Sequence, residues 1–390
     1  MREIKTVVFL SNFFNHHQQP FSETVYNRIG VGYQFIETEK MTEERRNMGW
    51  EIENLPEYVI TVEQYNYKKE MYQDLIDEAD VVIIGSAPNE LVEHRIRSKK
   101  IVFHYLERPF KSKEEKWKIP IRMFTWRRIY PQNRKHCLLC ASAYTSRDFA
   151  MFGLFRDRCY KWGYFTELRK YEDIEKVIDA KKRNSILWVA RFIDWKHPEV
   201  AIQVAKRLKT AGYQFELNII GDGILKKSIE EQVRSENVED CVHILGSMKP
   251  VQVRSYMEMS EVFLFTSDRN EGWGAVLNEA MNSACAIVAS HAIGGVPFLI
   301  RNHENGLIYK DGEVNDIYLK TKWLLDNTHK RKMLAKNAYI TIQQQWNPEN
   351  ATTRFLTIAE KLMNDEKHAM PFDSGVCSSA EILRDDWYEG

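Results

Sequence analysis

Val262-Phe263-Leu264-Phe265-Thr266-Ser267-Asp268-Arg269-Asn270-Glu271-Gly272-Trp273-Gly274-Ala275-Val276-Leu277-Asn278-Glu279-Ala280 is the stretch that decides how the chain folds. The apolar, β-rich run Val262–Thr266 predicts a buried strand, Ser267–Asn270 a polar loop, and Ala275–Ser283 a helix. Gly272 and Gly274 let the backbone come close to a ligand, and the new helix aims free N–H groups at it, which suits a diphosphate. Glu271 falls in the loop and Glu279 on the helix, with seven residues between them. A carboxylate that accepts sugar hydroxyls selects against ligands lacking them, because it would be left buried and unpaired. Two glutamates alone read as a loop charge and a solvated helix residue. The glycines, the preceding strand and the cations described below turn the reading toward a site.

Outward from this stretch the same alternation repeats. Ile186–Ala190, Phe215–Gly221, Val242–Leu245, Ala286–Ala289 and Gly306–Tyr309 read as strands, with helical patterns at Pro198–Ala211, Ile224–Ser235 and Pro250–Met257 between them. The N-terminal half repeats it less cleanly, with strand candidates Thr6–Leu10, Tyr58–Thr61, Val81–Gly85, Ile101–His104 and Cys137–Ala141. Strand–helix alternation implies parallel sheets covered on both faces. The expectation is an α/β chain of two Rossmann-like doubly wound domains facing a cleft, with ligands at the carboxyl ends of the strands. Residues 1–165 form the first domain and 166–345 the second, with the charged run Arg169–Arg183 as the connection. The segment 346–390 supplies a helix, Pro348–Met363, that crosses back to the first domain, and a tail from Asn364 with little pattern.

The 390 residues suffice for two cores. Lys+Arg and Asp+Glu both number 55, so net charge gives no argument for nucleic acid, and electrostatic arguments must be local. No apolar run reaches spanning length, which predicts a cytoplasmic protein touching a membrane at most from its surface. Cys137 and Cys140 form a C-x-x-C within an apolar run and without a second ligand pair, so they read as a buried, reduced strand.

The stretch around Glu271 and Glu279 resembles the motif of the retaining family-4 glycosyltransferases of the GT-B fold. Ala286–Ser290, Ile293-Gly294-Gly295-Val296-Pro297, Asn302–Ile308 and Leu187–Lys196 resemble that family too, so the likeness covers roughly Ile186 to Asn327. The resemblance implies that Arg191 and Lys196 hold the donor diphosphate, that Glu279 takes the ribose hydroxyls, and that Glu271 takes the transferred sugar. Fixed cations after a strand make physical sense, because a departing nucleoside diphosphate gains negative charge. Gly272, Trp273 and Gly274 complete the donor loop. Gly221-Asp222-Gly223 reads as a tight turn at the nucleotide end, with or without direct contact, and Gly246 as a backbone neighbour of the base. A histidine that faces the donor sugar in that family points to His104, at the end of its strand. Asn15, His16 and His17, in the loop after the first strand, and Glu107 are placed on the acceptor side. The chain departs from the family at Ala190 and at His197-Pro198, where glycine is common, and its first loop lacks the usual glycine pair.

No D-x-D and no P-loop motif occurs, so no metal and no cofactor are expected, with the nucleotide sugar as substrate. From Arg95 to Lys135 cations outnumber acids and aromatic residues are interleaved, which suits an anionic membrane carrying a lipid-linked acceptor. The same composition also fits RNA or a plain solvated face. The function read from the sequence is a retaining glycosyltransferase, of hexosyltransferase type, moving a sugar to a glycan or lipid-linked acceptor in surface polysaccharide or glycolipid assembly. Its rivals are a sugar-nucleotide epimerase and a non-catalytic sugar-nucleotide-binding module on the same fold.

Overall fold

A computed structural model describes residues 2–47, 49–111, 119–131, 133–366, 370–384 and 386–388. The chain divides into two compact units, residues 1–167 with 346–385, and residues 168–345 with 386–390.

Unit 1 carries seven parallel strands: β1 (Val7–Ser11), β2 (Tyr33–Glu37), β3 (Val59–Ile60), β4 (Val81–Ile84), β5 (Ile101–Leu106), β6 (His136–Cys140) and β7 (Cys159–Lys161). Their order is β3-β2-β1-β4-β5-β6-β7. Unit 2 carries six: β8 (Lys182–Val189), β9 (Glu216–Ile220), β10 (Val242–Gly246), β11 (Ser260–Phe265), β12 (Ala286–Ser290) and β13 (Leu307–Tyr309), in the order β10-β9-β8-β11-β12-β13. Both are Rossmann-like, doubly wound α/β domains. In each, the winding reverses direction beside the first strand, so the crevices lie at the carboxyl ends of β1 and β4 and of β8 and β11. Burial explains the sequence pattern: every residue of β1, β4, β6, β11 and β12 is buried, as strands covered by helices on both faces require.

One face of the first sheet is aliphatic, with Val8, Leu10, Ile36, Val82, Ile84 and Val102 in one cluster. The other is aromatic. Phe9 meets Phe35 at 5.0 Å, and Phe103 meets Phe355 at 5.0 Å. Phe355 belongs to the helix Pro348–Met363, whose buried Ala351, Phe355, Ile358, Ala359 and Leu362 recur at helical spacing. Asn347 caps it by accepting the Asn350 N–H at 2.8 Å, so the last long helix of the chain is part of unit 1.

Three expectations change. The charged run Arg169–Arg183 is not a linker, because Ile174–Asp179 is a helix capped by Asp173 and paired through Lys332–Asp179 at 2.6 Å and Lys336–Glu175 at 2.5 Å. The tail is not loose over its described residues. Cys377 N–H donates to Lys161 O (2.7 Å), Lys161 N–H to Ser378 O (2.8 Å) and Ala380 N–H to Cys159 O (2.9 Å), which covers the edge of β7 with an antiparallel segment. In the basic stretch, Arg95 is fully buried and its guanidinium donates to the carbonyls of Ile76, Asp77, Ala79 and Ile101 at 2.7–2.9 Å. Arg108 is buried 3.5 Å from Asp148. Both hold the fold rather than face a surface. Lys113, Lys116, Lys118, Trp117 and the side chain of Arg122 lie outside the described residues. Cys137 and Cys140 are free and buried in β6. Among the described residues, no helix is long and apolar enough to cross a membrane.

Candidate active site

In unit 2 the loop after β8 bears Arg191 and Lys196. Backbone hydrogen bonds fix the start of its path. Ala190 N–H donates to Ile220 O at 3.2 Å, and Phe192 N–H donates to Asp222 O at 2.9 Å. This is why Gly221 and Gly223 flank Asp222. A Cβ on Gly221 would lie 1.9 Å from Ala190 O, and one on Gly223 would lie 2.5 Å from Phe192 O. The Asp222 carboxylate accepts Gly223 N–H (2.7 Å) and Lys226 Nζ (3.0 Å), so it serves the turn. Gly246 adopts φ +74° and accepts the Gly221 N–H at 2.9 Å through its carbonyl. The Gly-Asp-Gly segment and Gly246 are therefore the scaffold of the Arg191 loop.

The loop after β11 supplies the other wall. The Lys196 ammonium donates to Glu271 Oε2, and Ser267 Oγ donates to the same oxygen at 3.1 Å. The Lys196 and Glu271 side chains are 13% and 14% exposed, so the pair is largely removed from water and screened little by salt. Arg191 lies over the Trp195 ring at 5.9 Å. Gly274 caps the helix Ala275–Asn282 in the left-handed region, where a Cβ would lie 2.4 Å from the Phe265 ring. Gly294 N–H donates to Glu271 O and Gly295 N–H to Trp273 O, both at 3.2 Å, which anchors the Gly272–Gly274 loop from the β12 side. Glu279 is half-buried on the helix, with its carbonyl accepting from Arg254 at 3.1 Å.

Trp273 needs correction. Its indole is fully buried and donates to Asn278 Oδ1 at 2.8 Å, so only its backbone is available to a ligand. His104 needs a larger one. β5 continues to Leu106, which puts His104 in mid-strand and not at its end. The ring is buried 5.0 Å from Tyr130 and 4.8 Å from His136, with Nε2 unpartnered. Burial, and secondarily His136, holds its pKa well below the usual range. It is a neutral core histidine.

At the corresponding position of unit 1, Asn15 is buried and organises the loop after β1. Its side chain accepts His17 N–H at 3.0 Å and donates to Gln18 Oε1 at 3.2 Å. His16 and His17 sit 3.9 Å apart, and Trp50 packs edge-on against them at 5.3 and 5.1 Å. Burial pushes His16 down to about 4, and burial with His16 and Arg45 pushes His17 well down, so both are neutral near pH 7. Tyr164 lies 6.1 Å from His17 and donates to Glu107 Oε1 at 3.2 Å, while Lys111 pairs with Glu107 Oε2 at 2.8 Å. Trp50, Tyr164, Ser267 and Thr266 escaped the sequence reading. For Thr266 and Ser267 a signal existed, since they directly follow the apolar run of β11.

Residues 170–341 match the family model of the glycosyl transferases group 1. The amylovoran biosynthesis glycosyltransferase AmsK of Erwinia amylovora is 32% identical over 33% of this chain and 32% of its own. The N-acetylgalactosamine-N,N'-diacetylbacillosaminyl-diphospho-undecaprenol 4-alpha-N-acetylgalactosaminyltransferase of Campylobacter jejuni is 31% identical over 41% of this chain and 42% of its own. These matches span less than half the length of each relative. Among solved structures, Anabaena Alr3699/HepE in complex with UDP superposes with a TM-score of 0.66 at 16% identity, covering 92% of this chain and 100% of its own. The pneumococcal O-GlcNAc transferase GtfA, in complex with UDP and GlcNAc, gives 0.66 at 11%, covering 93% and 100%. The fold is that of the GT-B glycosyltransferases.

Proposed function

We propose that the protein is a retaining, metal-independent glycosyltransferase that moves a sugar from a nucleoside-diphosphate sugar to a glycan or lipid-linked acceptor in surface polysaccharide or glycolipid assembly. One observation carries the reading: Lys196 and Glu271 meet, largely buried, where the winding of unit 2 reverses, inside the segment that matches the group 1 family. Buried charge is costly to keep, and a buried pair at the topological switch point, with loop glycines beside it, favours a site over a purely structural role. The UDP named with the Anabaena and pneumococcal structures, and the diphospho-undecaprenol in the Campylobacter relative's name, support this donor and acceptor class.

In the reaction, the acceptor hydroxyl oxygen forms a bond to the anomeric carbon as the bond from that carbon to the β-phosphate oxygen breaks. The departing diphosphate takes the acceptor proton. Arg191 and Lys196 offset the charge that develops on it, Glu271 orients the sugar, and Glu279 accepts the ribose hydroxyls. The acceptor enters against His16, His17 and Glu107. The exposed Phe124, Arg127 and Arg128 of the helix Ile119–Ile129 suit contact with an anionic membrane.

The test is thermal unfolding against uridine, guanosine and adenosine diphosphates and their sugar conjugates, with wild type and Glu279→Ala. A ligand at ~100 times its dissociation constant adds ~2.7 kcal/mol. A shift with one base, lost in the variant, is the expected result. No shift with any member would overturn the donor assignment.

A further inference from the structure

His197 lies between the single turn Asp194–Lys196 and the helix Pro198–Thr210, at φ 50° and ψ 54°, the left-handed region where glycine sits at least cost. A non-glycine residue held there costs on the order of 1 kcal/mol, so its side chain must return something. Nδ1 lies 2.8 Å from Glu199 Oε1, and Nε2 lies 3.5 Å from Asp268 Oδ2. A ring facing an acidic oxygen at each nitrogen donates to both only when both nitrogens carry protons. Asp268 is fixed in turn, because its carboxylate accepts the Asn270 backbone N–H at 2.7 Å and the side-chain amide at 3.2 Å.

The two elements joined are the walls of the candidate site. Glu199 is on the helix that continues the Lys196 loop, and Asp268 is on the loop that carries Glu271. Neutral bonds run along the same seam. The Thr266 hydroxyl, which accepts from Trp188 Nε1 at 2.7 Å, lies 2.6 Å from Lys196 O and 3.0 Å from His197 O. Asp268 N–H donates to Trp195 O at 3.0 Å.

We propose that His197 is a positioning residue: held as an imidazolium between Glu199 and Asp268, it clamps the Lys196 loop to the Glu271 loop and sets their register. That the register serves a diphosphate rests on the donor-site reading; the clamp itself is a property of unit 2. Hydrogen bonds that the ring donates to the Asp268 and Glu199 carboxylates raise the His197 pKa to about 10. The other groups facing this seam are Asp311, after β13, which accepts from Ser290 Oγ at 3.2 Å, His291, which accepts the Asp311 N–H at 2.9 Å, and Lys196 with its partner Glu271. With Glu199 at one ring nitrogen and Asp268 at the other, the surrounding charge favours the protonated ring.

The experiment uses the full chain as wild type, His197→Gln and His197→Gly, the last being at ease in the backbone conformation. Amide hydrogen exchange at Asp268 reports the seam without any ligand. Its rate is expected to rise about tenfold in both variants, the equivalent of one charge-assisted hydrogen bond. Equal exchange in all three proteins overturns the clamp, and so does ring-nitrogen NMR in which His197 of the wild type titrates near 6.5. Calorimetry with UDP, GDP and ADP at pH 7 then tests its purpose. The nucleotide that binds wild type is expected to bind each variant about tenfold more weakly, and wild-type affinity is expected to fall from pH 8.5 to 10 while that of the glycine variant stays level. Unchanged affinity in the variants overturns the link to the site. If the wild type binds none of the three, the donor reading fails and the exchange data still decide the clamp.

Discussion

The two sheets share the strand order 3-2-1-4-5 and place a crevice at the same topological point, yet they furnish it in opposite ways. Beside β8 and β11 stand ion pairs and glycines: Lys196 with Glu271, His197 with Asp268 and Glu199, and Gly274 against Phe265. Beside β1 stand neutral histidines and aromatic rings, His16, His17, Trp50 and Tyr164. The fold dictates where a ligand can sit, and the loops decide its chemistry. A charged, backbone-close crevice suits a diphosphate, and one lined mainly by aromatic rings and neutral histidines suits a sugar or a lipid-linked sugar.

The sharpest way to break this contrast is Glu271→Gln. Turnover is expected to fall about 10²–10³-fold, in the range seen when one preorganised charge-stabilising group is lost. A thermal melt in parallel separates that from unfolding, since it leaves Lys196 without its ionised partner. A near-normal rate would mean that the charged crevice is structural only. Next in size is Gly221→Ala. Its Cβ would sit 1.9 Å from Ala190 O, so a loss of about 2–3 kcal/mol is expected in urea unfolding. In unit 1, Trp50→Ala should raise the acceptor KM by about tenfold at most and leave nucleotide affinity unchanged. A loss of nucleotide affinity instead would erase the division of labour between the crevices.

The remaining effects are on pH, and they have opposite signs. His16 has a folded-state pKa near 4 against 6.5 unfolded, so its neutral form is favoured in the fold and stability is lost as pH falls from about 6.5 toward 4. For His197 the folded value is raised to about 10, so its contribution is whole below 6.5 and lost as pH rises through 10. Hydrogen exchange at pH 5, 7 and 9 should show residues 15–18 opening at the acid end and residues 194–199 at the alkaline end. Both loops opening at the same end would contradict the assignment of charge.

What the sequence made legible follows from this contrast. Strands buried on both faces announce themselves as apolar runs, so β8, β11 and β12 were readable, and the family resemblance, together with the place after those strands, pointed to Arg191, Lys196 and Glu271. β2, Tyr33-Gln34-Phe35-Ile36-Glu37, mixes polar and apolar residues, and β7 is only three residues long, so neither stands out. His104 was misplaced because a strand two residues longer moves a side chain from the rim of a sheet into the layer beneath it. The segment 377–380 has no pattern of its own; it is a strand partner only because β7 offers an open edge. The Trp50 contact joins residues 33 and 34 positions apart, which no local pattern reveals.

The return of the chain to its first unit has a consequence for synthesis on the ribosome. Unit 2 takes up residues 168–345, while Phe103, on the aromatic face of the first sheet, meets its partner Phe355 only on the helix that follows them. The first half to emerge is therefore the last to close. Phe103 waits for that partner while roughly 180 further residues are added, about 9–36 s at ordinary elongation rates. A nascent chain stalled before residue 348 would lack this cover on its first sheet.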